Sequence, residues 1–261
     1  SQRPPGGEPP RMKPALRRHY VRDGLFEFNP QRHDWEPKTL LGQPLRAEGL
    51  AEVDEALDRL ARAPATARFI TRKIALFLVG DNPPPELLQT LSRSFERTDG
   101  DIAAVLETLF YTPEFRVSLG HRFRDPVHYA LAGLRLAHGD AVLPNTDPAL
   151  AWLQRLAEPL YGRVTPDGYP LDSASWSGSG QMSTRFEMAR ALGAGALAAP
   201  PASDDAAPRA APRMPPALAQ TAYVRAMEPT WSPATRNALA QATSPREWNL
   251  LFLASPEFMH G

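Results

Sequence analysis

Outside two proline-rich stretches, the prolines of this chain stand at the starts of segments with helical periodicity. The sequence has 29 prolines among 261 residues. A proline fits the first turn of a helix but breaks a helix further along. Between the prolines, apolar residues recur at every third or fourth position, and only residues 25–28 alternate as a strand would. The sequence therefore predicts an all-α fold, an array of short helices with proline-capped turns and one long ordered loop.

The segment from Leu50 to Arg62 illustrates this periodicity. Its apolar residues follow the three- and four-residue spacing of one helix face, and acidic residues lie between them. A surface helix normally turns its apolar stripe to the core and its charged side to water. We therefore expect the acidic residues of this segment to face solvent.

The two proline-rich stretches divide the chain. Residues 1–18 are rich in proline, glycine and basic residues and predict an extended tail. Residues 196–216 are rich in proline and alanine and predict a semi-stiff linker or surface loop. We expect residues 19–195 to form the main helical domain and residues 217–261 to form C-terminal helices that pack back on it.

Composition excludes several classes of protein. The chain has 29 basic and 29 acidic residues, so it lacks the basic surface that nucleic-acid binding requires. No apolar run approaches the roughly 20 residues of a transmembrane helix. The absence of cysteine excludes disulfides, thiolate nucleophiles and cysteine-ligated metal centres. The chain starts at Ser1 without a signal-like segment, which is the pattern of a processed or truncated product.

A long loop, residues 166–185, is the first candidate site because it combines turn formers, acids, hydroxyls and two aromatic residues. An aromatic ring beside carboxylates and an arginine would suit a sugar or another polar ligand. The alternative is structural, with a turn at residues 166–168, Trp176 in the core and Arg185 in a buried salt bridge. The candidate binding residues are Asp167, Tyr169, Asp172, Trp176 and Arg185.

The second candidate site is the adjacent pair His33 and Asp34. These two residues are candidate metal ligands or one half of an acid–base pair that other groups complete. The alternative is a surface hairpin or loop in which Asp34 caps a turn and Lys38 pairs with an acid. The sequence assigns no cofactor, because it contains none of the standard zinc, nucleotide or nucleophile-elbow motifs.

Two short segments repeat one helix-start pattern. LETLFYTPEF ends at Phe115 and WNLLFLASPEF ends at Phe258. In both segments we expect Thr112 or Ser255 to be the N-cap and the following proline to occupy the first helical position.

Four segments together resemble the bacterial family catalogued as domain of unknown function 1800. They are FEFNPQRHDWEPKTLLG, the run from APATARFITRKIALFLVG to TPEF, PDGYPLDSASWSGSGQMSTRFEMARAL, and FLASPEF. They occur in the expected order and cover most of the chain. The motif positions carried over are His33, Asp34, Lys38, Gly42, Asp167, Gly168, Trp176 and Arg185, and the resemblance gives none of them a known role.

The resemblance also carries expectations about context. Family members are typically longer, and this chain resembles their C-terminal half, so we expect a separate N-terminal half of the same precursor, with the proline-rich residues 1–18 as a plausible processing region. Family members also look exported, which implies a periplasmic or secreted location, and their genes lie beside those of alkaline-phosphatase-like proteins.

Two function hypotheses follow. In the first, the chain is a binding or assembly subunit that packs on the N-terminal half, and it should expose a large apolar patch. In the alternative, it is part of an enzyme whose site is shared between the halves. There His33 and Asp34 would supply metal or acid–base chemistry, while the loop residues position a polar substrate, for instance a carbohydrate-like one.

Overall fold

The computed structural model describes residues 11–141, 143, 145–195 and 214–261. The chain divides into two compact units. Unit 1 comprises residues up to Thr71 together with Gln89–Leu106, and unit 2 comprises Arg72–Leu88 together with Glu107–Gly261. Most of the predicted tail and of the predicted linker lies outside the described residues, so the predicted domain boundaries stay predictions.

Helices dominate the described residues, which confirms the predicted fold class. None of these helices combines the length and the apolar character that a membrane crossing requires. Two 3-10 helices cover Leu218–Gln220 and Glu228–Thr230. The α-helices are α1 Pro14–Arg17, α2 Ala51–Ala61, α3 Pro64–Leu78, α4 Pro85–Arg97, α5 Ile102–Phe110, α6 Pro113–Ser118, α7 Pro126–His138, α8 Asp147–Arg155, α9 Ser179–Gly193, α10 Ala222–Met227, α11 Pro233–Ala240, α12 Pro245–Leu253 and α13 Pro256–Met259.

Proline and a hydroxyl residue start several of these helices together. Thr112 accepts a hydrogen bond from the Phe115 N–H at 3.2 Å and begins α6, and Ser255 accepts from the Phe258 N–H at 3.1 Å and begins α13. In both helices a proline follows the cap at the first helical position. The predicted use of one helix-start pattern in two places is therefore confirmed.

Unit 1 contains two small antiparallel hairpins that the helical periodicity did not predict. Strands β1 Val21–Asp23 and β2 Phe26–Phe28 form the first, and β3 Thr39–Leu40 and β4 Gln43–Pro44 form the second. Gly42, at the second turn, has a φ of +75°, a conformation that glycine adopts without strain. The alternation at residues 25–28 coincides with β2, whereas β1, β3 and β4 are too short to show a pattern of their own.

Helix α2 contacts the rest of unit 1 through its polar side. Glu55 accepts from the backbone N–H groups of Arg46 and Ala47 at 2.8 and 2.7 Å, and from Arg59 at 2.6 Å. Arg59 also donates to three backbone carbonyls of the β3–β4 hairpin. The expectation that the acidic residues of this segment face solvent is wrong for Glu55, because charge-assisted bonds to backbone N–H groups hold it inward. It is also wrong for Glu52, whose carboxylate contacts Lys38 and His33.

Unit 2 contains the hydrophobic core, which is built around α7, α9 and α12. The helices approach closely at two glycines. A Cβ on Gly133 of α7 would lie 2.8 Å from Leu192 Cδ1, and one on Gly193 of α9 would lie 3.0 Å from Asn249 Cβ. Asn249 of α12 also donates to the Gly193 carbonyl oxygen at 3.1 Å. This packing holds α7, α9 and α12 closely against one another.

Candidate functional site

The long loop predicted as a site connects α8 to α9 in unit 2, and two side chains from other segments hold it. Asp81 accepts hydrogen bonds from the Ser173 N–H at 3.0 Å and from the Ser173 hydroxyl. Lys73 Nζ donates to the Asp167 carbonyl oxygen at 3.2 Å. The loop is therefore tied at both its beginning and its middle.

The two aromatic residues of the loop stabilise the loop itself. Trp176 is only 5% exposed, and its Nε1 donates to the Pro170 carbonyl oxygen at 2.9 Å. Tyr169 donates its hydroxyl to the Pro159 carbonyl oxygen at 2.8 Å, and its ring centroid lies 6.2 Å from that of Trp176. Trp176 thus offers little open surface on which a sugar ring would stack.

The two acidic residues of the loop also have local partners. Asp167 is exposed, and hydrogen bonds from Thr165 and Arg163 hold the pKa of its carboxyl below the usual value. Asp172 accepts from the backbone N–H and the hydroxyl of Ser175, both at 2.9 Å, and these bonds lower its pKa as well. Both carboxylates therefore act within turns of the loop.

Arg185 is fully buried in the core of unit 2. Its Nη2 donates to the Arg124 carbonyl oxygen at 2.7 Å, and its guanidinium lies 4.7 Å from the Phe123 ring centroid and 4.8 Å from that of Tyr129. Burial lowers the pKa of Arg185 to about 10, although the nearby Tyr129, Asp125 and Glu158 act to raise it. The side chain is an internal support, and no salt bridge holds it among the described residues.

His33 and Asp34 lie in unit 1, within a network of local contacts. His33 Nε2 lies 3.1 Å from Glu52 Oε1, and Lys38 Nζ lies 3.0 Å from Glu52 Oε2. The imidazole of His33 also packs edge-on against Trp35, at 4.8 Å between ring centroids. Asp34 accepts from the Glu36 N–H at 3.0 Å and so closes a turn.

The partners of Glu52 favour the charged form of its carboxylate. Burial acts to raise the pKa of Glu52, but hydrogen bonds from Lys38 and His33 more than compensate, so the pKa lies below its usual value. Across the described ranges, no three histidine, aspartate or glutamate side chains gather in a way that could hold a metal ion. The metal and acid–base roles of His33 and Asp34 therefore stay predictions that would need a further group.

Unit 2 also contains an open cleft of about 430 Å³, which the sequence did not indicate as one site. Four separate segments line it. They are the turn after α3 (Val79, Gly80, Asp81 and Asn82), the segment before α7 (His121, Arg122 and Phe123), the long loop (Ser173 and Ser177), and His260 after α13. Only the loop was a candidate before, and it contributes two serines in place of the predicted acids and aromatics.

Charged groups gather at the start of α7, beside the cleft residue Arg122. Asp125 caps α7, contacts Arg122 Nη2 at 3.3 Å, and accepts from His128 Nδ1 at 2.7 Å. Burial acts to raise the pKa of Asp125, but the bonds from His128 together with the charge of Arg122 lower it overall. Asp125 and His128 stand three residues apart in the sequence, so their spacing is the signal that could have indicated this pair.

Glu158 is the most perturbed carboxyl of this group. It is 8% exposed and accepts one hydrogen bond, from the Val127 N–H at 3.0 Å. Burial, together with the negative charge of Asp125, raises the pKa of Glu158 to about 7 despite that bond. No sequence signal indicated Glu158, because its partner at the start of α7 is 31 residues away. Such perturbed groups are common at functional sites and in structural networks alike.

Comparisons with known proteins identify a family and nothing more specific. No curated protein matches the chain, and no solved structure matches it either. The family described as Protein of unknown function (DUF1800) matches residues 12–260, which is nearly the whole chain. The match includes both units and both candidate sites. This protein therefore belongs to the DUF1800 family.

Proposed function

We propose that this protein is a binding subunit that assembles with a second polypeptide through the apolar face of α2. The observation that supports this proposal is the orientation of the helix. Its polar side is bonded to unit 1 through Glu55 and Arg59, whereas Val53, Leu57 and Leu60 are 49, 60 and 42% exposed. A surface helix normally has the opposite orientation.

The three exposed side chains form one continuous surface. Val53, Leu57 and Leu60 are four and three residues apart, which places them on the same face of the helix. None of the residues of α2 is buried. Exposed apolar patches of this kind mark interaction sites more often than isolated apolar residues do.

The composition of unit 1 supports the same proposal. Among its described residues, the buried apolar ones are Ala67, Leu91, Phe95 and Val105. A longer set of large apolar residues is exposed there: Val21, Leu25, Phe26, Trp35, Leu41, Val53, Leu57, Leu60, Phe69 and Ile102. A unit with this distribution gains more stability from a partner than a unit with its own core does.

The charges beside the patch indicate the chemistry of the partner. Asp54 and Asp58 are exposed and follow Val53 and Leu57 by one residue, so the rim of the patch is acidic. We propose that the occupant is an amphipathic helix with a basic rim, supplied by the N-terminal half of the same precursor. On the family resemblance, we also propose that the assembly acts in the periplasm or outside the cell.

Native mass spectrometry of the protein isolated from its source tests the proposal. We expect a complex with one further polypeptide, whose peptides map to the N-terminal half of the precursor. Leu57→Glu places a charge in the apolar interface and should weaken the complex at least about 100-fold, which is the scale of a central interface residue. The isolated subunit should keep its stability, because Leu57 is exposed in it.

Leu131→Glu is the matched control. Leu131 lies in α7 of unit 2 and is 51% exposed, so the same substitution adds the same charge at a similar exposure on a different helix. This variant should bind the N-terminal half as the unmodified protein does. A monomeric protein without that partner, or a complex that Leu57→Glu leaves intact, would overturn the proposal.

The same mass spectrum also tests the enzyme alternative. If His33 and Asp34 hold a metal that the two halves share, the complex should carry an additional mass equal to that of a divalent ion. The additional mass should disappear in Asp34→Asn, which keeps the size of the side chain but removes its charge. A metal-free complex would exclude the metal form of this alternative.

A further inference from the structure

Several polar groups that line the cleft of unit 2 have no hydrogen-bond partner within the described residues. They are the amide of Asn82, the imidazole of His121 and the hydroxyl of Ser177, and all three residues are exposed. The amide supplies two donors and one acceptor, and the imidazole and the hydroxyl each both donate and accept. The cleft therefore presents donors and acceptors together.

His260 adds an acceptor whose identity the geometry fixes. Its Nδ1 lies 2.7 Å from the Pro256 carbonyl oxygen, which can only accept, so Nδ1 carries a proton and donates it. In the neutral ring Nε2 is then an acceptor. The position of the ring is also fixed, because residues 123 and 260 form a β-bridge and their rings pack 5.4 Å apart.

The charges of the cleft balance. Asp81 and Arg122 are the acidic and basic residues that line it, and each already has a partner, Ser173 and Asp125 respectively. These two opposite charges cancel, so the lining attracts neither a cation nor an anion preferentially. The lining thus favours an uncharged ligand, while the oxygens of Asp81 keep lone pairs for further hydrogen bonds.

The cleft is also preformed and has a suitable size. Asp81 fixes the loop that carries both lining serines, and the Gly261 N–H donates to the Arg122 carbonyl oxygen at 2.8 Å. Its volume of about 430 Å³ lies within the usual range of small-molecule sites, about 300–1,000 Å³. Val79 and Phe123 add apolar surface beside the polar groups.

We propose that this cleft binds a small, uncharged, polyhydroxylated ligand of saccharide type, through Asn82, His121, Ser177 and His260. Hydroxyl groups donate and accept at once, which matches the mixed lining, and the C–H faces of a sugar ring match its apolar part. This site takes Ser177 from the predicted loop but uses none of the acids and aromatic residues predicted there, which are engaged in holding the loop. It is also independent of the partner surface on α2.

Saturation-transfer-difference NMR on the full chain tests the proposal. The probes are glucose, N-acetylglucosamine, maltose and cellobiose, with inorganic phosphate as the charged comparison. We expect saturation transfer to at least one saccharide and a change in the ¹⁵N resonance of His260 Nε2 on binding. Phosphate should neither bind nor compete.

Two serines that stand two positions apart provide a matched pair of variants. Ser177→Ala removes a lining hydroxyl, whereas Ser179→Ala changes the exposed first residue of α9, which does not line the cleft. Ser177→Ala and Asn82→Ala should each weaken saccharide binding about five-fold, the scale of one lost neutral hydrogen bond, and Ser179→Ala should not change it. The substituted side chains are exposed, so the fold, monitored by circular dichroism, should persist.

Three results would overturn the proposal. The first is the absence of saturation transfer to all four saccharides, and the second is binding of phosphate alone. The third is saccharide binding that the double variant Asn82→Ala, Ser177→Ala retains at full strength, because the ligand would then occupy another surface.

Discussion

Arg185 shows that a sequence does not distinguish an arginine that binds a ligand from one that supports the core. A charged residue beside a polar loop is an obvious ligand-binding candidate, yet Arg185 is fully buried against Phe123 and Tyr129. The structure places it in α9, and the direction of its side chain depends on contacts with α7 and α13, which are distant in the sequence. Phe123 lines the cleft, and the guanidinium of Arg185 packs against its ring. Arg185 therefore supports the position of a cleft residue without lining the cleft itself.

Glu158 provides a test of the buried charges at a single position. Its folded pKa is about 7 and its reference value is 4.5, so between these values the folded protein binds a proton that the unfolded chain releases. Stability then falls as the pH rises through this window. We expect the free energy of unfolding to decrease between about pH 5 and about pH 7 through this group.

The variant Glu158→Gln isolates the effect. Glutamine keeps the shape and does not titrate, so the pH dependence of the variant should lack this decrease. The other shifted groups do not produce this decrease: Asp125 and Glu52 lose their contribution only at lower pH, and His138, whose pKa is lowered by burial, has the opposite slope. Urea titrations at the two pH values measure the difference, and parallel curves for both proteins would contradict the assignment.

Among the helices, the hydroxyl caps provide a prediction with an internal control. Thr112 and Thr146 are both N-caps, with a proline one residue after Thr112 and two residues after Thr146. Only Thr112 accepts a cap hydrogen bond from its helix. Thr112→Ala should therefore lower the free energy of unfolding by about 1 kcal/mol. Thr146→Ala should change it by less than about 0.5 kcal/mol. Equal losses in the two variants, measured by urea denaturation, would show that the cap bond is not the cause.

The same caps show which parts of the fold were predictable. Helix starts at Thr112 and Ser255 depend on four consecutive residues, so the sequence contains all the necessary information. The orientation of α2 does not, because Glu55 and Arg59 find their partners in a hairpin and the segment after it, eight or more residues away. The apolar periodicity correctly predicts that this segment is helical. It does not predict which side of the helix packs against the rest of unit 1.

The candidate sites also differ in how far the sequence predicts them. The long loop was recognised from its composition, and two of its serines line the cleft of unit 2. The cleft was not recognised, because its lining comes from residues near positions 80, 122, 175 and 260, and no spacing rule connects them. The Asp125–His128 pair was within reach of sequence reasoning, since the two residues share the first turn of α7.

Across the protein, the two units differ in how they bury apolar residues. Unit 2 has a contiguous core that includes Tyr129, Met188, Leu192, Phe252 and Phe258. Unit 1 has hairpins of two strands each and a helix whose apolar side is exposed. Two-stranded hairpins are marginally stable alone. Local stability should therefore vary strongly along the chain.

Hydrogen exchange followed by mass spectrometry measures this variation. We expect peptides from α7, α9 and α12 to exchange slowest, since their amides open only with the core, and peptides from β1–β4 and α2 to exchange fastest. Addition of the N-terminal half should then slow exchange in α2 and its neighbours while the core helices stay unchanged. Exchange from β1–β4 as slow as that from α12 in the isolated chain would contradict the difference between the units. Protection that appears in unit 2 and not in α2 would place the partner on another surface.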